Sequence, residues 1–502
     1  MPGDGFLLLD STAVPRGRRA DWLAAELRAA IARGALPAGA RLPASRVLAG
    51  ELGFARNTVA EAYRRLAEEA LVVPRVGVGT VVAAPSVPSE RLASPGTAGA
   101  VRPARAPRSA APEPIDLAAG LPELAAFPRA AWLRAEREVL AEASRRTLGY
   151  QHPAGAPTLR EALAAWLARS RGVVADADGI VVTSGVTGAL ALLADALLGE
   201  GHESVALEDP GATGNRLILE YWMPRVEPVP VDANGLVVEA LRRSGADAVL
   251  VTPAHQYPSG VVLAPDRRRD LLAWASERRD RLVVEDDYDA EYRYDRRPVR
   301  ALQPLAPERV AYTSSLSKTL APALRLGWLV PPSRLVERIV ERRWASGLGS
   351  PALPQLALAR LLDSGALERH LRAMRGRHRL RRDAAVAAVR AQLPGVRVHG
   401  VAAGLHLLLQ LPDECDDLEV AAAARELGVL VQPLSAQRQR PGPPGLIVHY
   451  AAEHPARFEQ AIATIARVLG APATAPAQSP LTHRRGRSAT SGRPSARMDA
   501  GR

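Results

Sequence analysis

The first 84 residues alternate between stretches with the apolar spacing of amphipathic helices and short turn-forming segments. Within ADWLAAELRAAIARG, Leu23, Leu27 and Ile31 recur at every fourth position before Gly34, which predicts a helix and its end. The shorter segment PASRVLAGELG predicts a second helix that ends at Gly53.

A third helix is predicted by ARNTVAEAYRRLAEEAL, in which Val59, Tyr63 and Leu66 share one face. The segment LVVPRVGVGTVVAA follows, with two β-branched runs around a glycine-containing turn, which predicts a hairpin. Helix, helix, four-residue turn, helix and hairpin is the plan of a winged helix-turn-helix, a DNA-binding fold. A plain three-helix dimerisation domain is the alternative for the same helices.

On the DNA-binding interpretation, the third helix is the recognition helix and begins near Arg56. Asn57 and Thr58 then lie at the end that meets base edges and phosphates. The hairpin offers Arg75, and Gly77 lets its backbone come close to DNA.

Farther along the chain, continuous apolar runs repeatedly end in polar residues, and most are separated by stretches long enough for a helix. Such runs are typical of strands buried on both faces of a parallel α/β sheet, in which ligands bind at the carboxyl ends of the strands. The runs are GIVVTSG, SVALEDPG, DAVLVTPAHQ, RLVVEDDYD and RVAYTSSLSK. The polar residues at or after their ends are Ser184, Asp209, His255, Asp286, Tyr288, Ser315 and Lys318.

Two segments lack periodic apolar residues. The stretch from Ala84 to Pro114 is rich in Pro, Ala, Ser and Gly, which indicates a linker. The composition of the last 32 residues indicates a disordered tail. We therefore predict a winged-helix domain over 1–84, a flexible linker over 85–114, a large domain over 115–470 and a basic tail over 471–502.

The net charge of +12 is concentrated in the small domain, the linker and the tail, whereas the large domain is nearly neutral. Basic flexible segments suit a polyanion partner, and tails that only aid solubility are the alternative. The single cysteine excludes a disulfide framework. No membrane-length apolar run and no signal peptide is evident, so we expect a cytoplasmic protein without a membrane partner. No pattern indicates a metal site.

Of 65 basic residues, Lys318 is the one lysine. Arginine carries the same charge but stays protonated, whereas a lysine amine can become a nucleophile and form a Schiff base with an aldehyde such as pyridoxal phosphate (PLP). Codon drift in a GC-rich genome is the alternative. The position of Lys318 just past a predicted strand end favours the chemical interpretation.

The residues that PLP would require lie at the same predicted edge. Asp286 could keep the pyridine nitrogen protonated, and Tyr288 could donate to the ring oxygen. The TSGVTG turn opens onto a predicted helix whose first amides could face a phosphate, with Ser315 and Arg325 beside them. Each residue also has a structural alternative, such as a helix cap, a surface ion pair or an ordinary loop.

The amino-terminal segment resembles the GntR family of bacterial repressors, through LPAGARLPASRVLAGELGFARNTVAEAYRRLAEEALV followed by GVGT. The resemblance implies binding to operator DNA. The residues it implies for this contact are Arg46, Arg56, Asn57, Thr58, Arg75 and Gly77.

The large domain resembles class I aminotransferases of fold type I, through IDLAAGLPELAAFPRAAWLRA, LGYQHPAGAPTLREALAAWL and SLSKTLAPALRLGWLV. The resemblance implies an α/β fold with a mainly parallel sheet, PLP as cofactor, and a homodimer in which Tyr150 reaches the partner's phosphate. Lys318 would form the Schiff base, Asp286 would pair with the pyridine nitrogen and Tyr288 with the ring oxygen. The implied phosphate ligands are Gly185, Val186, Thr187, Ser315 and Arg325.

A GntR-type domain joined to this fold, together with TPAHQYPSG and EDDYDAEYRYD, resembles the MocR subfamily of transcriptional regulators. Three positions depart from the aminotransferase pattern. Ala212 replaces a stacking aromatic, Tyr257 an asparagine, and Ile447 the arginine that pairs with the substrate carboxylate. Arg438 and Arg440 are near enough in sequence to substitute for that arginine.

We therefore expect a PLP-binding transcriptional regulator that senses a small amine or PLP itself. Efficient transamination of an ordinary α-amino acid is doubtful without the arginine. One alternative is an active aminotransferase with a vestigial DNA-binding domain. Another is a dimerisation scaffold that has lost its cofactor, which the presence of Lys318, Asp286 and Arg325 disfavours.

Overall fold

A computed structural model describes residues 14–69, 71–75, 79–83, 113–294, 299–347 and 349–470. The chain divides into two compact units between residues 106 and 107. Gly77, the predicted tail and nearly all of the predicted linker lie outside the described residues. The exact domain boundaries stay predictions.

The small unit contains three helices and a two-stranded hairpin, in the order that the sequence predicts. Its elements are α1 Arg19–Ala32, α2 Ser45–Leu52, α3 Arg56–Glu68, β1 Val72–Arg75 and β2 Gly79–Val82. Gly53 ends α2 with a positive φ of 64°, a conformation that glycine adopts without the steric cost of a Cβ. Leu23, Leu27 and Val59 are completely buried, so the predicted apolar faces meet in one core.

The large unit is an α/β structure. Its strands are β3 Ile115–Asp116, β4 Val181–Thr183, β5 Ser204–Asp209, β6 Arg225–Asp232, β7 Gly235–Leu236, β8 Ala248–Val251, β9 Leu282–Asp286, β10 Val310–Ser315, β11 Gly327–Val330, β12 Arg397–His399, β13 His406–Gln410, β14 Val429–Leu430, β15 Gln432–Pro433 and β16 Gly445–His449.

Helices surround these strands. They are α4 Arg129–Ala141, α5 Arg145–Leu148, α6 Pro157–Arg171, α7 Val186–Gly199, α8 Thr213–Trp222, α9 Val238–Ser244, α10 Pro265–Ser276, α11 Ser333–Ala345, α12 Ala352–Asp363, α13 Ala366–Gln392, α14 Asp417–Glu426 and α15 Pro455–Gly470. No helix in the described ranges is long and apolar enough to cross a membrane.

The main sheet has the strand order β4-β11-β10-β9-β8-β5-β6-β7. Strands β10, β9, β8, β5 and β6 pair in parallel, and β11 is antiparallel to both of its neighbours. All residues of β5, β8, β9 and β10 are buried, which explains their continuous apolar runs. The five strands predicted from the sequence are confirmed, as is the mainly parallel sheet.

A second, antiparallel sheet of order β12-β13-β16-β15 forms the carboxyl-terminal part of this unit. His406 is the first residue of β13 and His449 is the last residue of β16. Because these two strands are antiparallel, the two histidines lie directly opposite each other. This pairing brings both imidazoles to the same end of the second sheet.

Candidate functional site

A cavity of about 530 Å³ lies at the carboxyl ends of the main sheet strands. Eight of the residues predicted to bind a cofactor line it, namely Gly185, Val186, Thr187, Asp286, Tyr288, Ser315, Lys318 and Arg325. Tyr150 does not line it and is 94% exposed. Ser184, Asp209 and His255, also at predicted strand ends, are not among the lining residues.

Lys318 follows β10 and is held by the segment after β3. Its Nζ donates a hydrogen bond to the carbonyl oxygen of Gly120 at 2.7 Å. Burial lowers the pKa of the amine, and the charges of Asp289 and Asp286 oppose that shift. A lowered pKa increases the fraction of the neutral amine, which is the nucleophilic form.

Gly120 leaves no space for a side chain beside the lysine. A Cβ there would lie 3.0 Å from Nε2 of His449 and 3.1 Å from Nζ of Lys318, and its φ of +60° favours glycine. The glycine therefore allows the backbone to approach the amine closely.

Asp286 ends β9 with an incompletely bonded carboxylate. Asn215, in α8, donates its side-chain amide to Oδ2 at 3.1 Å, whereas Oδ1 is buried without a hydrogen-bond partner among the described residues. Burial raises the pKa of Asp286 to about 7. Asn215 was not predicted from the sequence. The one signal for it was its position near the start of a helix that follows a strand end, and many residues share that feature.

The cavity lining also contains groups that bind anions. Helix α7 begins at Val186 after Gly185, whose φ is +87°, so the amides of its first turn are free of intrahelical partners. Nη1 of Arg325 lies 3.8 Å from the position that a Cβ on Gly185 would take. Arg325 forms no ion pair within the described ranges and is available for a ligand.

Tyr288 belongs to a buried polar network. Its hydroxyl lies 3.1 Å from Nδ1 of His255, and that nitrogen lies 2.9 Å from Oδ2 of Asp289. Burial raises the pKa of Tyr288 well above its usual value, so the phenol keeps its proton. Asp289 was missed from the sequence because several acids follow β9 and nothing in the pattern distinguished it.

The wall of the cavity near the second sheet is neutral. Tyr257 donates its hydroxyl to Oε1 of Gln432 at 2.7 Å. His449 has a pKa lowered to about 4, first by burial and then by the charge of Lys318, so its imidazole is uncharged at neutral pH. His406 also lines the cavity, and burial lowers its pKa well below the usual value.

At the wall near the second sheet, the residues that could replace the substrate-binding arginine of aminotransferases contribute no positive charge. Ile447 is fully buried against Tyr257 and does not line the cavity. Neither Arg438 nor Arg440 lines it, and Arg440 donates instead to the carbonyl oxygen of Pro228 at 2.8 Å. Among the described lining residues, Arg325 is the one arginine.

Ala212 lines the cavity directly before α8 and contributes no ring. A cofactor ring would therefore lack the stacking partner that an aromatic residue supplies at this position.

In the small unit, Arg56, Asn57 and Thr58 begin α3, and Arg46 lies in the first turn of α2. The side chain of Arg75, like Gly77, lies outside the described residues. Arg46, Arg56 and Asn57 are exposed, and Thr58 is half-buried. Neither Arg46 nor Arg56 forms an ion pair with any residue that the structure describes.

The arginines farther along α3 are paired instead. Arg64 binds Glu61 at 2.6 Å and also contacts Glu68, while Arg65 binds Glu61 at 2.8 Å. Charge that is free for phosphates is therefore located at the start of α3 rather than at its end.

The hairpin has its strands in register from Val72 opposite Val82 to Arg75 opposite Gly79. Nε of Arg41 lies 3.3 Å from the position of a Cβ on Gly79, which places the Arg41 guanidinium beside the start of β2. Arg41 was missed because it precedes α2 in a segment without a helical or strand pattern.

Comparison with known proteins shows both parts of the chain in established families. Residues 112–465 match the family "Aminotransferase class I and II", and residues 19–82 match the family "Bacterial regulatory proteins, gntR family". Among solved structures, the kynurenine aminotransferase of Pyrococcus horikoshii is similar, with a TM-score of 0.65 and 28% identity, over 71% of this chain and 91% of that chain.

Two curated relatives match both parts together. The probable rhizopine catabolism regulatory protein MocR of Rhizobium meliloti is 34% identical over 472 residues, covering 91% of this chain and 94% of the relative. The HTH-type pyridoxine biosynthesis transcriptional regulator PdxR of Corynebacterium glutamicum is 34% identical over 408 residues, covering 81% and 86%. The chain therefore belongs to the MocR-type GntR transcriptional regulators, in which a GntR DNA-binding domain is joined to an aminotransferase class I and II domain.

Proposed function

We propose that this transcriptional regulator holds PLP in the 530 Å³ cavity, and that PLP or a small amine reacting there changes its affinity for operator DNA. One observation carries the proposal: the single lysine of the chain lines the same cavity as the buried carboxylate of Asp286, whose Oδ1 has no hydrogen-bond partner among the described residues. A protonated pyridine nitrogen is the partner that such a carboxylate lacks.

The donor set of the cavity fits PLP at each of its functional groups. Arg325, Ser315 and the backbone from Gly185 to Thr187 would hold the phosphate, because guanidinium, hydroxyl and helix-start amides all favour an anion. Asp286 would hold the ring nitrogen and the protonated phenol of Tyr288 would donate to the ring oxygen. PLP supplies a reactive aldehyde and an electron sink when bound.

Lys318 supplies the covalent attachment. Burial lowers the pKa of its amine, and the carbonyl oxygen of Gly120 accepts a hydrogen bond from Nζ at 2.7 Å. Arginine could reproduce the charge but not the nucleophile.

The neutral wall limits the class of effector. With Ile447 in place of an arginine and Arg325 assigned to the phosphate, no further arginine of the described lining is left to pair with a substrate carboxylate. We therefore favour PLP itself, or an amine without an α-carboxylate, as the signal. Turnover of ordinary α-amino acids is expected to be weak or absent.

Binding of operator DNA would use Arg46, Arg56, Asn57, Thr58, Arg75 and Gly77. The exposed Tyr150 would reach the phosphate held by a second copy, which makes the regulator a homodimer. A ligand that binds one dimer arrangement more tightly than another would shift the spacing of the two DNA-binding domains.

The cofactor assignment is tested by incubating the purified protein with PLP, reducing it with borohydride and locating the added mass by peptide mass spectrometry. We expect the mass on Lys318. A protein that carries no added mass after this treatment would exclude the covalent attachment. Rapid keto-acid production from glutamate, alanine or aspartate, without any ligand effect on DNA binding, would support the alternative of an active aminotransferase with a vestigial DNA-binding domain.

A further inference from the structure

A second cavity, of about 260 Å³, lies away from the first and shares no lining residue with it. It is enclosed by the end of α6, the segment after β9 and the first half of α13. The side chains that matter for its chemistry are Trp166, Arg171, Glu291, Glu368, Arg372 and Arg375. Its volume suits a molecule smaller than a typical drug-sized ligand.

Arg171 is almost completely buried and has one nitrogen to spare. Its Nε donates to Oδ2 of Asp287 at 2.6 Å and its Nη2 donates to Oδ1 at 3.0 Å. Nη1 is buried without a partner among the described residues. Because Asp287 already neutralises the guanidinium, the spare N–H can bind a further acceptor without leaving Asp287 unpaired.

Glu291 supplies the complementary group. Its Oε2 is buried without a partner in the described part of the chain, and burial raises its pKa to about 7. Oε2 of Glu368 is likewise buried without a hydrogen-bond partner among the described residues, while its Oε1 lies 3.8 Å from Nη2 of Arg169. Buried polar atoms in folded proteins are nearly always bonded, so unpartnered donors and acceptors around one cavity indicate a missing polar occupant.

Two further arginines add positive charge at this cavity. Arg375 is half-buried and donates its Nε to the carbonyl oxygen of Glu291 at 2.8 Å, and Arg372 is exposed. The lining thus offers guanidinium groups for an anionic end of a ligand and two carboxyl groups for a cationic end.

We propose that this second cavity binds a small zwitterion of the α-amino acid class, with its carboxylate against Arg171 and Arg375 and its ammonium group against Glu291 and Glu368. This binding goes beyond the proposed function and does not depend on it, because none of these residues lines the first cavity. An amino acid would thus have a carboxylate partner here that the first cavity does not offer.

The test is calorimetric titration of the full-length protein with L-serine as the probe. The Lys318→Arg variant, freed of PLP, serves as background, since without the PLP aldehyde an amine cannot attach covalently in the first cavity. Two matched compounds each lack one charged group: 2-aminoethanol has no carboxylate and 3-hydroxypropanoate has no ammonium group. We expect saturable binding of L-serine and at least about tenfold weaker binding of the other two, because each loses a charge-assisted hydrogen bond.

Two substitutions locate the binding. Glu291→Gln keeps the shape of the side chain and removes its charge. This substitution should weaken the binding of L-serine by about tenfold or more. Arg375→Gln, at a less buried position, provides a second variant should the first fail to fold. Glu161→Gln, on an exposed position of α6, is the matched control and should bind L-serine like the background protein.

Three results would overturn the proposal. They are no saturable binding of L-serine, equal affinity for L-serine and 2-aminoethanol, and affinity for L-serine that neither Glu291→Gln nor Arg375→Gln changes. The last result would place the binding in a different cavity.

Discussion

Asn215 donates its side-chain amide to one oxygen of Asp286 at 3.1 Å, while the other oxygen of this buried carboxylate has no partner among the described residues. Burial raises the pKa of Asp286 to about 7 in the cofactor-free chain. A raised carboxyl pKa means that this group favours folding at low pH and loses that contribution as the pH rises through about 7.

Replacing Asp286 by Asn should therefore stabilise the cofactor-free protein at pH 8, by on the order of 1 kcal/mol, since an ionised and half-bonded carboxylate is removed. The same variant should lose most of the stabilisation that PLP gives the wild type. Thermal unfolding of both proteins at pH 6 and pH 8, with and without PLP, measures both effects. Equal stabilisation of variant and wild type by PLP would show that Asp286 does not hold the cofactor.

Ala212 gives a prediction about cofactor affinity. Tyrosine at this position should tighten PLP binding by about two- to tenfold, since an aromatic stack contributes about 0.5–1.5 kcal/mol. Equilibrium PLP titration followed by absorbance measures the change. Leu217→Tyr, at an exposed position of α8, the helix that Ala212 directly precedes, is the control and should leave the affinity for PLP unaltered. If Ala212→Tyr bound PLP no better than this control, the cofactor ring would not lie beside Ala212.

Arg56 gives a prediction about DNA. Because it is exposed and unpaired within the described ranges, Arg56→Ala should weaken operator binding by about 1–3 kcal/mol if the guanidinium contacts a base. Arg64→Ala is the matched control on the same helix, and should have little effect because Arg64 is already paired with Glu61 and Glu68. Fluorescence anisotropy with labelled operator measures both. A larger loss for Arg64→Ala would place the DNA on another face of α3.

The basic tail gives a prediction about salt. Deleting residues 471–502, which contain six arginines, should reduce the slope of log affinity against log salt concentration, since these residues would meet phosphates only. Discrimination between operator and unrelated DNA should persist. If the deletion abolished that discrimination, the tail would contribute base contacts.

The sequence predicted the parts of the fold where local pattern and burial agree. The runs that became β5, β8, β9 and β10 are continuous because both faces of these strands are buried. Strand β6 was missed because Pro228 and Pro230 interrupt it, and proline normally excludes a central strand. The structure accommodates them because β7 pairs only with Val231 and Asp232, so the rest of β6 is an edge.

Site residues were predictable from the sequence where the type of side chain, at its position in the predicted fold, suited one chemical role better than any structural role. The single lysine and the acid at the end of β9 were identified on chemical grounds, and both line the first cavity. Asn215, Asp289 and Gly120 were not identified, because their contacts join segments distant in sequence and no local pattern encodes them. The second cavity escaped prediction for the same reason, since Arg171 and Glu291 resemble ordinary charged residues until the fold buries them.

The most direct test of PLP sensing through Lys318 is operator binding measured against PLP concentration, for the wild-type protein and for Lys318→Arg. The account predicts that PLP changes the operator affinity of the wild type, and that the variant responds only at much higher PLP concentration because it cannot attach the cofactor covalently. Thermal unfolding of the cofactor-free proteins should confirm that the variant is folded. An operator affinity of the wild type that does not change with PLP, or an identical response from Lys318→Arg, would contradict the account.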